Sequence, residues 1–569
     1  MRTKEEIREL HTWEVNEHHA SSRQLQDEDW KYYKDTFLVT FIKEPYKAAR
    51  VGLGAEIIDV PTSHIITNEP RVYVEATADN DIARKHSFNR GAFLNHLISR
   101  IRLQNPEPIK ESVKNALACG EGWINIVNNP DWVGQEPLSQ DIPLIFSTPD
   151  PRIVFASPDE RNGIPDYCFL SFKRHFQSVI NKYHQWTNPL KRRGKNRYVD
   201  WFAYFDKDIR YFEADGEPVL GDIQPNLLGF TPFVHFYSGY GKSSPEGRPE
   251  ELAVSRIRPV KGRILLYTEL MSSLASQQKL YSHKRYDFQP ASPEIEQPPD
   301  FEYDLNYGTW NWIPYGINPT ERGGTAPGGD VFAFLQMLRY EITRATPPIL
   351  QGIGSGSSGR ANEGESKHGL AQYQSVVDNA SIAWGVALSQ ALSIIKNSAF
   401  DLLPLTLRAT LSDGARGKIT LTEEDIDDTH CEVKLKASDP IEDKAQTEIG
   451  MRMWTAGAID WETNLIKYQG YSVDEAHKII VKTMGEQFIK SSPQLLTAMS
   501  MAALQEQGIE IPQMGGGGSL PTTPVPYAPG ARGGEPRKGN IKSVEAFSRD
   551  AGALLGAQES RMPPGLGEQ

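Results

Sequence analysis

Leu370, Tyr373, Val377, Ala380, Trp384, Ala387, Ala391 and Ile395 recur in steps of three and four, a spacing that keeps them all on one face of an α-helix. With the residues around it, such a helix runs to about 45 Å at 1.5 Å per residue, and Gly385 is the place where a kink is expected. A helix this long with one apolar stripe has to be covered by other elements along its whole length. Two further amphipathic helices precede it. One lies between Arg256 and about Arg285, with Ile264, Tyr267, Met271 and Leu274 on one face and an end before Pro290, and spans 30 Å or more. The other covers Asp330 to Ala345, with Val331, Leu335, Leu338 and Ile342 aligned. Between them, residues 289–329 contain seven prolines and six glycines around an aromatic patch, Phe301-Glu302-Tyr303 and Trp310-Asn311-Trp312, which predicts a small insert with little helix.

Upstream the pattern changes. Residues 1 to about 50 read as helical, with helical spacing over Trp30 to Ala49, and Arg90–Arg102 and Ile109–Leu117 read as further helices. The second of these stops at Gly120 and Gly122 before a strand at Trp123–Val127. From Pro143 to Phe236 short β-prone runs (PLIFS, RIVFAS, YCFLSF, RYVDWFAYFD, RYFEADG, TPFVHFY) alternate with turn residues and predict an antiparallel region, with a hairpin at Asp206–Gly216. Strands return at 418–436. A helical module opens at Asp439-Pro440-Ile441-Glu442 and again at Ser472-Val473-Asp474-Glu475, with Gly457 and Gly470 closing helices between. Beyond Gln513 the Gly- and Pro-rich chain reads as disordered apart from a short helix near Lys542–Leu555.

Composition narrows the function classes. The 569 residues amount to roughly two to four domains. Sixty-one basic against 73 acidic residues give a net charge of −12, unlike the balance of a protein that grips nucleic acid by neutralising phosphates. No apolar stretch is long enough for a membrane span, and the charged opening residues lead into no apolar run, so a cytosolic setting is expected. Three scattered cysteines, Cys119, Cys168 and Cys431, read as buried free thiols.

Few motifs carry chemistry. Gly354-Ser355-Gly356-Ser357-Ser358-Gly359 has the GxxxxG spacing of a phosphate-cradling loop, but Arg360-Ala361 stand where a P-loop needs Lys and then Ser or Thr. A mobile loop is the plainer reading. The acidic run Glu423–Asp428 lacks EF-hand spacing and reads as a solvated connection. His18-His19 sit in a charged helix where neither is expected to converge on a metal, and no nucleophile motif is present. These residues therefore call for no metal, cofactor or catalytic group. Two basic groups, Lys191–Arg197 and Arg256, Arg258, Lys261 and Arg263, are candidate contacts for phosphate or an acidic partner. Basic residues at a helix start oppose the macrodipole, which favours a partner for the second group.

Taken in order, these parts resemble the portal proteins of tailed bacteriophages. The likeness runs over about residues 30–505 and rests on SVKNALACGEGWINIV (Ser112–Val127), on Gly229-Phe230-Thr231-Pro232-Phe233-Val234 closing the β region, and on the helix, insert and helix that follow. Pro347-Pro348-Ile349-Leu350-Gln351-Gly352 before the Gly/Ser run and the long helix after it complete the order. The resemblance implies an α+β portal fold: a β-rich wing (1–251), paired stem helices (252–288 and 330–345), a clip insert (289–329), a tunnel loop (346–366), a tunnel helix (367–400), wing return strands (401–438), a helical crown (439–505) and a disordered tail (506–569). It implies a ring of identical subunits, commonly twelve, at the head-to-tail vertex of the virion, assembled in the host bacterial cytoplasm. The ring would pass double-stranded DNA without sequence specificity during packaging and ejection, and its partners would be the terminase, head-tail adaptors, and capsid and scaffold proteins. The tunnel loop residues Gly354 to Arg360, with Lys367 and His368, would line the channel. Phe301, Tyr303, Trp310, Trp312 and Arg322 of the clip would meet partners. Two other classes stand beside this reading: a DNA-packaging or remodelling NTPase using the Gly-rich loop, and a glycan-binding tail component using Trp310 and Trp312.

Overall fold

The N-terminal segment opens on a capping box, in which the Thr3 hydroxyl accepts the Glu6 N–H and the Glu6 carboxylate accepts the Thr3 N–H. The computed structural model describes residues 2–39, 48–67, 69–78, 80–129, 132, 142–187, 197–243, 247–283, 286–295, 302–304, 308–315, 328–344, 346, 368–410, 416–435, 440–471 and 473–491. Helix α1 (Lys4–Trp13) runs through a single π turn (Glu14–His18) into α2 (Ala20–Tyr33). The helix expected over Trp30–Ala49 stops at Tyr33, where Asp35 takes a left-handed backbone (φ 54°), and the described residues from there to 50 lie in no helix. Instead a helix absent from the sequence reading, α3 (Leu53–Ile66), follows, with Pro61 inside it.

Strand β1 (Arg71–Tyr73) leads to α4 (Asp81–Arg102), whose first turn is capped by the Asn80 carboxamide oxygen at 2.7 Å from the Ala83 N–H. Helix α5 (Pro108–Cys119) has proline at its start and ends at Gly120 (φ 87°), where a Cβ would lie 2.3 Å from the Ala253 carbonyl carbon, so only glycine fits. The chain then enters β2 (Glu121–Asn128), β3 (Leu144–Ser147), β4 (Val154–Ala156), β5 (Glu160–Arg161), β6 (Ile164–Pro165) and β7 (Tyr167–His175). After α6 (Phe176–Lys182) come β8 (Tyr198–Asp206), β9 (Ile209–Ala214), β10 (Glu217–Pro218), β11 (Gln224–Pro225) and β12 (Phe233–Tyr237).

The expected antiparallel region resolves into separate sheets. One has the order β12-β2-β3; another runs β10-β9-β8-β7-β4, with β11 also on β9; β5 and β6 form a short pair of their own. The predicted hairpin is β8–β9, closed by Lys207-Asp208 while the Asp206 carboxylate accepts the N–H groups of Asp208 and Ile209.

Helix α7 (Pro249–Leu252) precedes α8 (Lys261–Ser282), β13 (Tyr286–Phe288), β14 (Trp310–Trp312) and α9 (Gly329–Thr343). Then follow α10 (Gln374–Lys396), β15 (Leu405–Thr410), β16 (Arg416–Leu421), β17 (Glu432–Lys434), α11 (Pro440–Thr455), α12 (Trp461–Thr463), a π turn (Asn464–Tyr468) and α13 (Val473–Ser491). β1 pairs with β17 and β15 with β16, so every described sheet is antiparallel except β13–β14 and the fold is α+β. The described residues up to 487 make one compact unit, the first of two, and only 488–491 of the second are described.

Helix α10 is the centre of the first unit. All eight residues of the predicted stripe are buried, and so are Val376, Ala383, Leu388, Leu392 and Ile394 beside them, as the helix is covered by α5, β2, β12 and β17. Its 23 residues span about 35 Å, shorter than the sequence suggested, because a turn at 372–373 separates it from the preceding helical residues. The helix is continuous through Gly385, whose missing side chain admits β17's approach: a Cβ would sit 3.0 Å from the Cys431 carbonyl oxygen, and the Cys431 thiol donates to the Gly385 carbonyl at 3.4 Å. Trp384, fully buried, donates its indole N–H to the Ser112 hydroxyl at 3.1 Å. Among the described residues no helix is long and apolar enough to cross a membrane, and all three cysteines are buried and free.

Candidate functional site

Helices α8 and α9 pack against each other and run antiparallel, since Arg263 at the start of α8 lies 3.5 Å from Glu341 near the end of α9. On α8, Ile264 and Tyr267 are buried and Met271 and Leu274 half-buried against the main core, as the stripe predicts. Thr268 and Ser272 continue that face, each hydroxyl bonded to the carbonyl four residues back, and Ser272 also accepts the Ala49 N–H at 2.8 Å. α9 has two characters. Leu335, Leu338 and Ile342 are buried, while Phe332, Met337 and Tyr340 stand 51%, 51% and 63% exposed.

Of the basic group at the start of α8, Arg258 and Lys261 are turned toward α2, while Arg263 is exposed. Arg258 donates through Nε and Nη2 to the Asp29 carboxylate (3.0 and 2.9 Å), and Lys261 reaches Glu28 at 2.8 Å and Asp29 at 3.4 Å. Hydrogen bonding to Lys261 and its charge hold the Glu28 carboxyl below its ordinary value. Arg256 donates to the Gln372 side chain at 2.7 Å and lies over the rings of Tyr240 and Tyr373. Arg258 and Lys261, read as candidate partner contacts, thus form a clamp between α2 and α8 within the chain. The other basic group, except Arg197, lies outside the described residues, as do Gly354, Ser355, Gly356, Ser357, Ser358, Gly359, Arg360 and Lys367 of the Gly-rich segment. His368 is exposed, in the helical stretch that leads to α10.

Between α8 and α9 the insert forms a two-stranded parallel ribbon in which Tyr286, Asp287 and Phe288 face Trp310, Asn311 and Trp312 in register. The strand alternation puts Asp287 and Asn311 inside and the aromatics outside. The Trp310 ring stacks on Phe288 (centroids 4.5 Å, planes 12° apart) and on Tyr286 (4.9 Å), yet it is 60% exposed. Buried Asn311 donates to the Asp304 carbonyl at 2.9 Å and accepts the Asp304 N–H at 2.8 Å, which fixes the preceding segment. A cavity of about 490 Å³ opens beside the stack, lined by Phe288, Pro290, Ile295, Trp310 and half-buried Trp312. Exposed Tyr303 donates to the Asp287 carboxylate at 3.4 Å, and Phe301 and Arg322 lie outside the described residues.

A second concentration of polar chemistry, invisible in the sequence, is buried where α2 meets the two larger sheets. Glu121 opens β2 and receives Arg23, the Gln26 amide (2.9 Å) and His235 Nε2 (3.0 Å). His235 Nδ1 faces the Glu160 carboxylate at 2.8 Å, and its ring stacks on Trp123 at 4.2 Å. Burial opposes the charge on both partners. For Glu121, Arg23 and His235 outweigh it and hold the carboxyl well below the usual range. For His235, Glu160 and Glu121 outweigh it and raise the ring to about 9. Two cations and two carboxylates balance here, and their chain positions are too far apart for any motif to announce them.

The acids and histidines depart from expectation in part: Glu423, Glu424 and Asp427 are exposed in the connection from β16 to β17, as read, but Asp425 is not. The acidic run is anchored: buried Asp425 accepts the Thr422 N–H (2.8 Å), its hydroxyl (2.9 Å), His86 Nδ1 (2.6 Å) and Asn89 (3.2 Å), while Asp428 pairs with Arg90 of α4. His18 and His19 do converge, with Glu14, through the π turn: their donor atoms lie within 4.8 Å of one another. Burial and neighbouring Arg23 push His19 down to about 3.

No protein-family model matches the chain, and no curated protein matches it in sequence.

Proposed function

We propose that the chain is the subunit of a ring-shaped bacteriophage portal, a DNA channel at the head-to-tail vertex without catalytic activity of its own. The observation that carries this reading is the two-faced helix α9. One face is spent on α8, and the other presents Phe332, Met337 and Tyr340 to solvent. Burying an apolar side chain of this size stabilises by roughly 1.5–3 kcal/mol. A head-to-tail ring of identical copies covers such a face on every subunit and leaves none open. The antiparallel pair α8–α9 with the aromatic ribbon at its far end supports the division into stem and clip. The ribbon then serves terminase and adaptor contact, and the Gly/Ser-rich segment 352–359 serves DNA without sequence preference. The net charge of −12 suits a conduit, because a sliding duplex should not be held by many phosphate-neutralising contacts. Capsid and scaffold contacts and a place in the virion belong to the same reading.

The test is the mass and shape of the purified full chain by light scattering and negative-stain imaging. The expected particle is a closed ring with a central hole, of about 760 kDa if twelve copies of the 63.7 kDa chain assemble. A compact monomer at packaging-like salt and concentration overturns the proposal.

A further inference from the structure

The π turn between α1 and α2 builds a donor group that a DNA channel does not call on. Its defining bond runs from the His19 N–H to the Glu14 carbonyl, five residues back, at 2.9 Å. Such widened turns are rare and recur at functional sites. The extra residue in the turn is what brings position 19, as well as position 18, to the Glu14 side chain. Glu14 Oε2 stands 2.7 Å from His18 Nδ1 and 3.5 Å from His19 Nε2. From the sheet side, the Ala156 carbonyl oxygen of edge strand β4 stands 3.0 Å from the same His19 nitrogen.

Zinc bonds to imidazole nitrogen and carboxylate oxygen are about 2.0–2.2 Å long, which sets neighbouring ligand atoms of a tetrahedral site about 3.3 Å apart. The two contacts to Glu14 and the one to Ala156 bracket that value, and the three side-chain donor atoms all lie within 4.8 Å of one another, so side-chain movement that draws them together completes the site. Its supports are already in place. Glu14 is fully buried, and its second oxygen accepts the Tyr167 hydroxyl of β7 at 2.6 Å, which fixes the carboxylate's direction. The His18 ring lies parallel to the Trp13 indole at 5.3 Å.

We propose that Glu14, His18 and His19, with the Ala156 carbonyl as fourth ligand, bind one zinc-class divalent ion that staples the N-terminal helices to the edge of the six-stranded sheet. Two imidazoles favour a borderline ion over calcium or magnesium, which take oxygen ligands. Coordination through His19 Nε2 places the ring proton on Nδ1, where Arg23 Nη2 now sits at 3.4 Å, and it displaces the Ala156 N–H at 3.3 Å. Those two long contacts are what binding gives up. Arg23 keeps Glu121, Gln26 and the Val154 carbonyl.

The experiment titrates tag-free, chelator-stripped full-length protein with Zn²⁺ by calorimetry and repeats it with Co²⁺, whose visible spectrum reports tetrahedral coordination. The expected result is one equivalent per chain and a raised melting temperature. His18→Ala, at a partly exposed ring, weakens binding at least about tenfold, and His184→Ala, at an exposed histidine elsewhere, leaves it unchanged. Should His18→Ala not fold, Glu14→Gln decides, because it keeps the side chain's shape and removes the anionic ligand. No equivalent tighter than about 10 μM, or unchanged binding in the folded ligand variant, overturns the proposal. Neither result bears on whether the chain forms a ring.

Discussion

The buried seam around Glu121 and the aromatic ribbon around Trp310 use similar residue types to opposite ends. In the seam Trp123 stacks on His235, and Arg23, Gln26 and Glu121 surround the pair out of water, with half-buried Glu160 at its edge. At the ribbon Trp310 stacks on Tyr286 and Phe288 with Asp287 and Asn311 behind it, but the stack faces solvent. Stacked rings beside carboxylates therefore do not identify a role. Burial does: charges that have lost water are committed to each other and hold the fold, while an aromatic surface still in water has binding energy left to give.

Breaking the seam should be the costliest single change. Glu121→Ala leaves the Arg23 and His235 cations buried without their shared carboxylate, and removing one partner of such a group typically costs about 3–5 kcal/mol. A chemical-denaturation midpoint well below that of the parent chain is expected. A midpoint within error of the parent would mean that water reaches the group and that the seam and the ribbon do not differ in the way claimed.

Proton dependence sharpens the same contrast. His235 is raised from 6.5 to about 9 on folding, so its imidazolium stabilises the native state. Because the folded value is the higher, that contribution is complete below pH 6.5 and is lost as pH rises through about 9, on the order of 3 kcal/mol in all. Glu121 works in the other direction: its depressed value gives stability that is complete above its ordinary range and is lost progressively as pH falls below it. Thermal unfolding followed from pH 6 to 10 should show the alkaline loss, and His235→Gln should flatten it. An unchanged slope in that variant would assign the loss to other groups.

The division between what the sequence revealed and what it hid follows the range of the interactions. The α10 stripe was legible because local periodicity alone puts its eight residues on one face, and α8 and α9 were legible for the same reason. Gly385 shows the limit of that reading, since a glycine in a helix reads alike whether it bends the helix or admits a neighbouring chain segment, here the one leading into β17. Helix α3 was missed with Pro61 inside it, and the run after Tyr33 was read as helix although its aromatic spacing ends in the left-handed Asp35. His18-His19 were judged on ordinary helix geometry, and one π turn changes which side chains meet. Arg258 and Lys261 looked unpartnered at a helix start because their carboxylates, Glu28 and Asp29, stand at the far end of the sequence. The seam is the extreme case. Residues 23, 121, 160 and 235 become neighbours only once two sheets and a helix have closed on one another.

The smallest expected effect on stability is the most informative about the ribbon. Trp310→Ala removes a ring that is 60% exposed and stacked on Phe288 and Tyr286, and stacked aromatic pairs contribute about 0.5–1.5 kcal/mol beyond burial. The β13–β14 ladder and the Asn311 bonds to Asp304 involve no Trp310 side-chain atom, so the ribbon should persist and the melting temperature should fall only slightly. A platform kept in water for a partner behaves differently from a structural ring. If the chain is a portal subunit as proposed, the variant should assemble and melt nearly as the parent does, yet lose affinity for a packaging or tail component that docks on the ribbon, measured by co-sedimentation with the candidate partner. A large drop in melting temperature would instead place Trp310 with Trp123 among the rings that hold the fold.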